Sequence, residues 1–152
     1  MRTGLFTRSN SGFSMVELVV VILVLGILAA VVMPRFVDLD TFRARAAYDE
    51  VAGAIRYAQK LAVASGCEVQ VAITANRYAL QQHATNCTTG AFTDISGHPV
   101  TNNDFTDVTL SAATFRFDAM GRSSSGPTIT IDSGAEHLSF SVVAETGYVD
   151  AQ

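Results

Sequence analysis

Glu17 is the first residue of this 152-residue chain whose position invites chemistry. It stands at the mouth of an apolar run, Leu18 to Met33, that contains no charged or strongly polar side chain. A carboxylate at the centre of a membrane-length helix costs ~2.5–3.5 kcal/mol by insertion scales, and less near an end. An acid kept there is a functional candidate, set against the plainer reading of a solvated interfacial residue. Cys67 and Cys87 come next. Export behind such an apolar segment places them in an oxidising compartment, where two cysteines pair. A hairpin turning about Arg77 would set Cys67 and Cys87 opposite each other, within disulfide reach. The competing use is a zinc site drawing in His83 and His98, but strand alternation alone puts His83 and Cys87 on one face. Asn103, Asp104 and Asp107 offer oxygen donors without the spacing of an EF-hand loop. Arg116 and Arg122 flank a turn where an anion or DNA would meet positive charge, although solvated arginines fit equally. No serine–histidine–acid set, glycine-rich phosphate loop or HExxH pattern occurs. The expectation is therefore a protein that is not an enzyme, with no cofactor and no resident metal.

The stretch Gly12-Phe13-Ser14-Met15-Val16-Glu17-Leu18 resembles the processing site of type IV prepilins and type II secretion pseudopilins. The resemblance covers about residues 8–36. It implies cleavage after Gly12 by a membrane prepilin peptidase that is also an N-methyltransferase, and N-methylation of the new terminus, Phe13. It also implies a glutamate at mature position five, here Glu17. Gly26 and Pro34 match the glycine and proline that interrupt or close the family's apolar helix. By this likeness Glu17 pairs with the Phe13 ammonium of a neighbouring subunit. In lipid an unpaired charge is strongly disfavoured and a paired one much less so. The pair then acts as a register device, since a subunit slid along its neighbour loses its partner.

A second likeness lies nearer the C-terminus. Phe115-Arg116-Phe117-Asp118-Ala119-Met120-Gly121-Arg122, followed by Gly126 and Thr128-Ile129-Thr130-Ile131, is similar to the heads of H-type pseudopilins. It is also similar to the C-type minor pilins of the mannose-sensitive haemagglutinin (MSHA) pilus. The two likenesses imply a minor pilin, with an H-type pseudopilin of a type II secretion system as the alternative. They imply as partners the prepilin peptidase, other pilins or pseudopilins, an inner-membrane assembly platform with its ATPase, and the lipid bilayer. The implied location is the bacterial inner membrane, crossed once with the head in the periplasm, and then a pilus or pseudopilus. A tip-located adhesin or DNA-binding module is the reading from another class.

Composition narrows the field. The net charge is −4, and loss of residues 1–12 removes two of the ten bases and no acid, taking it to −6. A broad nucleic-acid surface needs clustered Lys and Arg, which such a chain lacks. An ordinary secretory signal has a shorter apolar core and a small-residue cleavage site, whereas Leu28-Ala29-Ala30 puts a large residue where a small one is needed. An uncleaved anchor is the other rival. Phe13 to Met33 would span about 31 Å as a helix, enough for a bilayer core. Arg2 and Arg8 lie before this span, and Arg35, Arg43 and Arg45 after it, so charge alone does not orient it.

The elements that must position these residues follow from periodicity. Residues 1–12 read as a leader without apolar period. Residues 13–35 read as the membrane and assembly helix, kinked at Pro34. Residues 36–65 read as its amphipathic continuation. There Ala47, Val51, Ala54, Ile55, Ala58, Leu61 and Ala62 recur every three to four positions, with Arg45, Asp49, Arg56, Gln59 and Lys60 between them. Gly66 ends the helix. From Cys67 to Ile73 the pattern switches to period two, with Val69, Val71 and Ile73 inward. Ala75-Asn76-Arg77 reads as a turn and Arg77–His83 as the return strand. Residues 84–107 read as a long loop with short irregular pieces, and 119–127 as a flexible connection. Further strands are expected at 108–110, 114–117, 128–131 and 138–143, with a last short one at Tyr148-Val149. The whole is an α+β chain: a long N-terminal helix and, over 66–152, a periplasmic head of antiparallel β-sheet on which the helix's second half packs.

Overall fold

The computed structural model describes residues 13–32, 39–97 and 100–151. The chain divides into two units, Met1–Asp38 and Leu39–Gln152. The leader with Gly12, and Met33, Pro34, Arg35 and Phe36, lie outside the described residues, as does His98. The expected kink and the continuity of the helix across Pro34 therefore have no structural description.

The first unit contributes helix α1, Met15–Val32. Ser14 starts it: its carbonyl accepts from the Leu18 amide at 3.1 Å, and its hydroxyl accepts from the Val16 amide at 3.3 Å. A side-chain oxygen at this position satisfies one of the orphan amides of a helix start. Glu17 falls in the first turn, where negative charge complements the helix dipole. Every side chain from Phe13 to Ala29 is exposed, on all sides of the helix. Among the described residues no helix is long and apolar enough to cross a membrane. The 18 residues of α1 cover about 27 Å, just short of a ~30 Å hydrocarbon core.

The second unit is built on α2, Leu39–Ser65. Its buried residues are Ala44, Ala47, Val51, Ala52, Ala54, Ile55, Ala58 and Ala62: the predicted stripe gains Ala44 and Ala52, while Leu61 is only half-buried. Small side chains let the helix lie close against the strands. Gly66, at φ +69°, closes α2 by donating its amide to the Ala62 carbonyl at 2.9 Å. A left-handed residue at this point is the usual way to stop a helix while satisfying its last carbonyls.

Among the described residues nine strands follow, all paired antiparallel, in two sheets. In the first, β1 (Val69–Thr74) pairs with β2 (Arg77–His83) and with β6 (Ala113–Phe117). The outer side of β2 is shared by β3 (Phe92–Asp94) and β4 (Asn102–Asp104). In the second, β5 (Thr109–Leu110), β7 (Thr128–Ser133), β8 (Glu136–Val142) and β9 (Val149–Ala151) stand in that order. One core joins α2 to both sheets through Val51, Ile55, Val71, Leu80, Phe115, Phe117, Ile129, Ile131 and Phe140. Tyr48 of α2 meets Phe140 edge to face at 5.2 Å between ring centres.

Three local expectations change. The first hairpin turns on Ala75-Asn76 alone, because Thr74 already pairs with Arg77. The register Val69–Gln82 then extrapolates to Ala84 opposite Cys67, three residues before Cys87. The loop at 84–107 contains two ordered three-residue strands, held because β2 offers its free edge to both. The connection after β6 is bonded rather than loose: Asp118 accepts from the Met120 and Arg122 amides, both at 2.9 Å. Ser123 and Ser124 then return to the carbonyls of Ala144 and Arg116.

Candidate assembly site

The N-terminal candidates share one short stretch. Phe13 precedes α1, Ser14 caps it, Glu17 lies in its first turn, and Gly26 lies within it with open space around its α-carbon. The carboxylate is the only charge on an otherwise apolar helix surface. Such a surface has no favourable state in water. Burying it against like helices or lipid is the arrangement it is suited to, and there a charged carboxylate is costly unless it is paired or protonated.

Cys67 and Cys87 form a disulfide, with α-carbons 4.6 Å apart. The pairing expected from the sequence occurs, but not by strand register. After His83 the chain bends, Ala84 bonds to Ala91, and this bend carries Cys87 back toward the end of α2. The bond leaves neither cysteine for zinc. His83 instead meets the Gly90 carbonyl at 2.8 Å and stacks on Phe92 at 4.1 Å.

The three loop oxygens do not converge. Asp104 pairs with Arg77 at 3.7 Å, Asp107 with Arg43 at 3.5 Å, and Asn103 donates to Glu50 at 2.7 Å. The arginines of the 118–127 turn are likewise engaged. Arg122 binds Asp118 at 2.9 Å, while Arg116 donates to Gln70 at 3.2 Å and lies 4.7 Å over the Phe92 ring. They line an open groove of about 600 Å³ with Glu68, Asp118 and Glu145. Two cations against three acids give it no anion-binding character. Hydrogen bonds from the Arg122 backbone first, then its side chain and the Met120 amide, hold the Asp118 carboxyl below its ordinary range.

Two polar devices of the head escape sequence reasoning. Tyr78, fully buried, donates to Glu50 at 3.0 Å, joining β2 to α2. Burial first, and the neighbouring Glu50 second, push the phenol well above its ordinary range. Gln59 donates from one amide nitrogen to the carbonyls of Gly121 at 2.9 Å and Thr146 at 2.8 Å, clamping two turns onto α2. Gln59 reads in the sequence as one more polar residue between apolar ones, and nothing there distinguishes it.

An apolar helix headed by one carboxylate, and a separate unit in which a helix packs on two antiparallel sheets, describe the pilin class of α+β protein. Comparison agrees. Residues 47–147 match the family described as Type II transport protein GspH, and residues 7–33 match the prokaryotic N-terminal methylation motif. The chain belongs to this family of type IV pilins and pseudopilins. Over 51 residues it is 45% identical to the type IV narrow pilus major component PilA5 of Thermus thermophilus. That match takes in 34% of this chain and 44% of the relative, so the chain spans less than half of that protein's length. The fold is similar to that of the type IV minor pilin FimU of Pseudomonas aeruginosa in two crystal forms, each with a TM-score of 0.54. In the P65 form the identity is 15%, with 71% of this chain and 91% of the other covered. Family and fold are those of structural pilins, not of enzymes.

Proposed function

We propose that this chain is a minor pilin of an MSHA-like type IV pilus. Prepilin peptidase cuts after Gly12 and methylates Phe13, leaving the mature chain anchored in the inner membrane by residues 13–35 with its head, 66–152, in the periplasm. The platform and its ATPase then draw it into or onto the tip of the filament, and residues 36–65 carry the head on the anchor. Gly26 and Pro34 give the helix freedom to bend as it leaves lipid. Cys67–Cys87 secures the head after export. The observation that carries this reading is α1 itself: apolar and exposed on every side, with one carboxylate in its first turn. Where surface leaves water its burial supplies ~25 cal/mol per Å2; within lipid, close packing takes over.

The test is the intact mass and N-terminal residue of the protein from its native membrane. A chain beginning at N-methylated Phe13 supports the reading, and Gly12→Val should abolish that product. A full-length chain, or one beginning near Val31, overturns it. The second reading, an H-type pseudopilin, is favoured by the match of residues 47–147 to the Type II transport protein GspH family. Deletion that stops protein secretion and leaves pili intact selects the pseudopilin; loss of pili with normal secretion selects the pilin.

A further inference from the structure

Asparagine followed, after one residue other than proline, by serine or threonine is the acceptor signature for N-linked sugar, and it belongs on an exposed loop. Of the five asparagines, Asn10, Asn76, Asn86, Asn102 and Asn103, only Asn86 satisfies it, in Asn86-Cys87-Thr88. So short a pattern also arises by chance, and the surroundings of Asn86 decide what it is worth. Residues 84–90 are all exposed. They form a loop closed at its base. The Ala84 amide donates to the Ala91 carbonyl at 3.0 Å, His83 Nδ1 lies 2.8 Å from the Gly90 carbonyl, and Cys87 is tied to Cys67. Gly90, at φ +99°, lets the chain pass Thr85, whose hydroxyl would stand 2.8 Å from a β-carbon there.

At the tip of this loop Asn86 Oδ1 accepts three hydrogen bonds, from the Thr88 amide at 2.9 Å, the Thr89 amide at 2.8 Å and the Thr88 hydroxyl at 3.3 Å. Two backbone N–H donors can meet only the oxygen of the carboxamide, so the amide nitrogen is the end turned away from them. A side chain folded over the next residues' amides is a common turn, and it asks only for an oxygen. Aspartate would serve it as well. Nδ2 is left over, with no partner among the described residues. All three bonds lie within residues 86–89, so the turn does not depend on the pairing of Cys87.

We infer that Asn86 is the acceptor of an N-linked sugar, transferred by a glycosyltransferase from a glycosyl diphosphate. Nδ2 attacks the anomeric carbon and the N–C bond forms. The bond from that carbon to the phosphate oxygen breaks, and its electron pair leaves with the diphosphate. One Nδ2 proton passes to a base of the transferase. The three donors on Oδ1 stabilise the negative charge that develops there as the proton leaves. Thr88 thus supplies two of the three, its amide and the hydroxyl that the signature demands. The same chemistry is offered by a nucleotide sugar before export and by a lipid-linked sugar after it. The inference goes beyond the pilus reading and does not rest on it.

The test is peptide mapping by mass spectrometry of the full chain recovered from its native cells. After reduction, trypsin should release Tyr78–Arg116 carrying the added mass of at least one sugar, which electron-transfer fragmentation should localise to Asn86. Asn86→Asp keeps the oxygen and the turn but has no Nδ2. It should lose all of the added mass while the Cys67–Cys87 disulfide still forms. Thr88→Ser should keep the modification, and Thr88→Val should lose most of it. An unmodified native peptide, sugar on Thr85, Thr88 or Thr89 instead, or added mass that survives Asn86→Asp overturns the inference. Cells blocked in export separate the two donors. A modified chain held in the cytosol supports the inference with a nucleotide sugar as donor, and modification confined to exported chain supports it with a lipid-linked one. The N-terminal peptide of the same digest reports processing separately, so either reading can fail while the other stands.

Discussion

Single residues in the head are held by partners far away in sequence, and their substitution separates burial from bonding. Glu50→Ala should destabilise the head by ~1–3 kcal/mol, because the buried Tyr78 hydroxyl keeps no acceptor. Tyr78→Phe removes donor and demand together, so its cost should be smaller, about 1 kcal/mol. Urea unfolding of the two variants checks the order, and equal losses would contradict it. Tyr78 also sets an alkaline limit. Its folded pKa lies above the unfolded value of 10.0, so its contribution is intact below pH 10 and declines as pH rises beyond it. Asp118 acts in the opposite sense. Its folded pKa lies below 3.8, so its contribution is present above that pH and is lost as pH falls through the folded value. An NMR titration of the Asp118 carboxyl should give a midpoint below 3.8; a midpoint at or above it means the turn does not form as described.

At the level of elements, the decisive places are where turns meet α2. Gly66 and Gly147 both have positive φ, at +69° and +64°. They differ in surroundings. A β-carbon on Gly66 meets open space, whereas one on Gly147 runs into the Gly121 carbonyl and comes within 2.9 Å of the Phe117 ring. Gly66→Ala should therefore cost only the left-handed backbone penalty of ~1–2 kcal/mol. Gly147→Ala should cost more, since it also breaks the Gln59 clamp. Thermal unfolding of the pair measures this; a smaller loss for Gly147→Ala would place the clamp elsewhere. The same region shows why the 119–127 connection reads as loose in the sequence. Its Gly, Ser and Pro content is that of a flexible linker, and the bonds that order it come from Asp118, Ala144 and Gln59, of which the last two lie far away in sequence.

For the whole molecule, the two units differ: α1 leaves its apolar side chains exposed, and Leu39–Gln152 buries a core of its own. Glu17→Ala should leave the mature N-terminus unchanged and reduce incorporation into filaments. Normal incorporation, measured by immunoblot of sheared filaments, would falsify the register role of that carboxylate.

The chain order alone determined whatever depends on near neighbours. An apolar run with Glu17 at its mouth, the 3–4 spacing from Ala47 to Ala62, the alternation at Val69, Val71 and Ile73, and Gly66 as a stop are local patterns imposed by helix and strand geometry. The match of residues 7–33 to the N-terminal methylation motif is likewise a matter of consecutive residues. Only the tertiary structure decided what brings distant residues together. It moved the first turn to Ala75-Asn76 and delivered Cys87 to Cys67 through a bend rather than a register. It split the strands into two sheets and made Gln59 and Glu50 the ties between helix and strands. The physical reason is that hydrogen bonds, a disulfide and packing across 20 to 90 residues depend on where elements dock. Docking is set by the shape of the shared core, which no local period encodes.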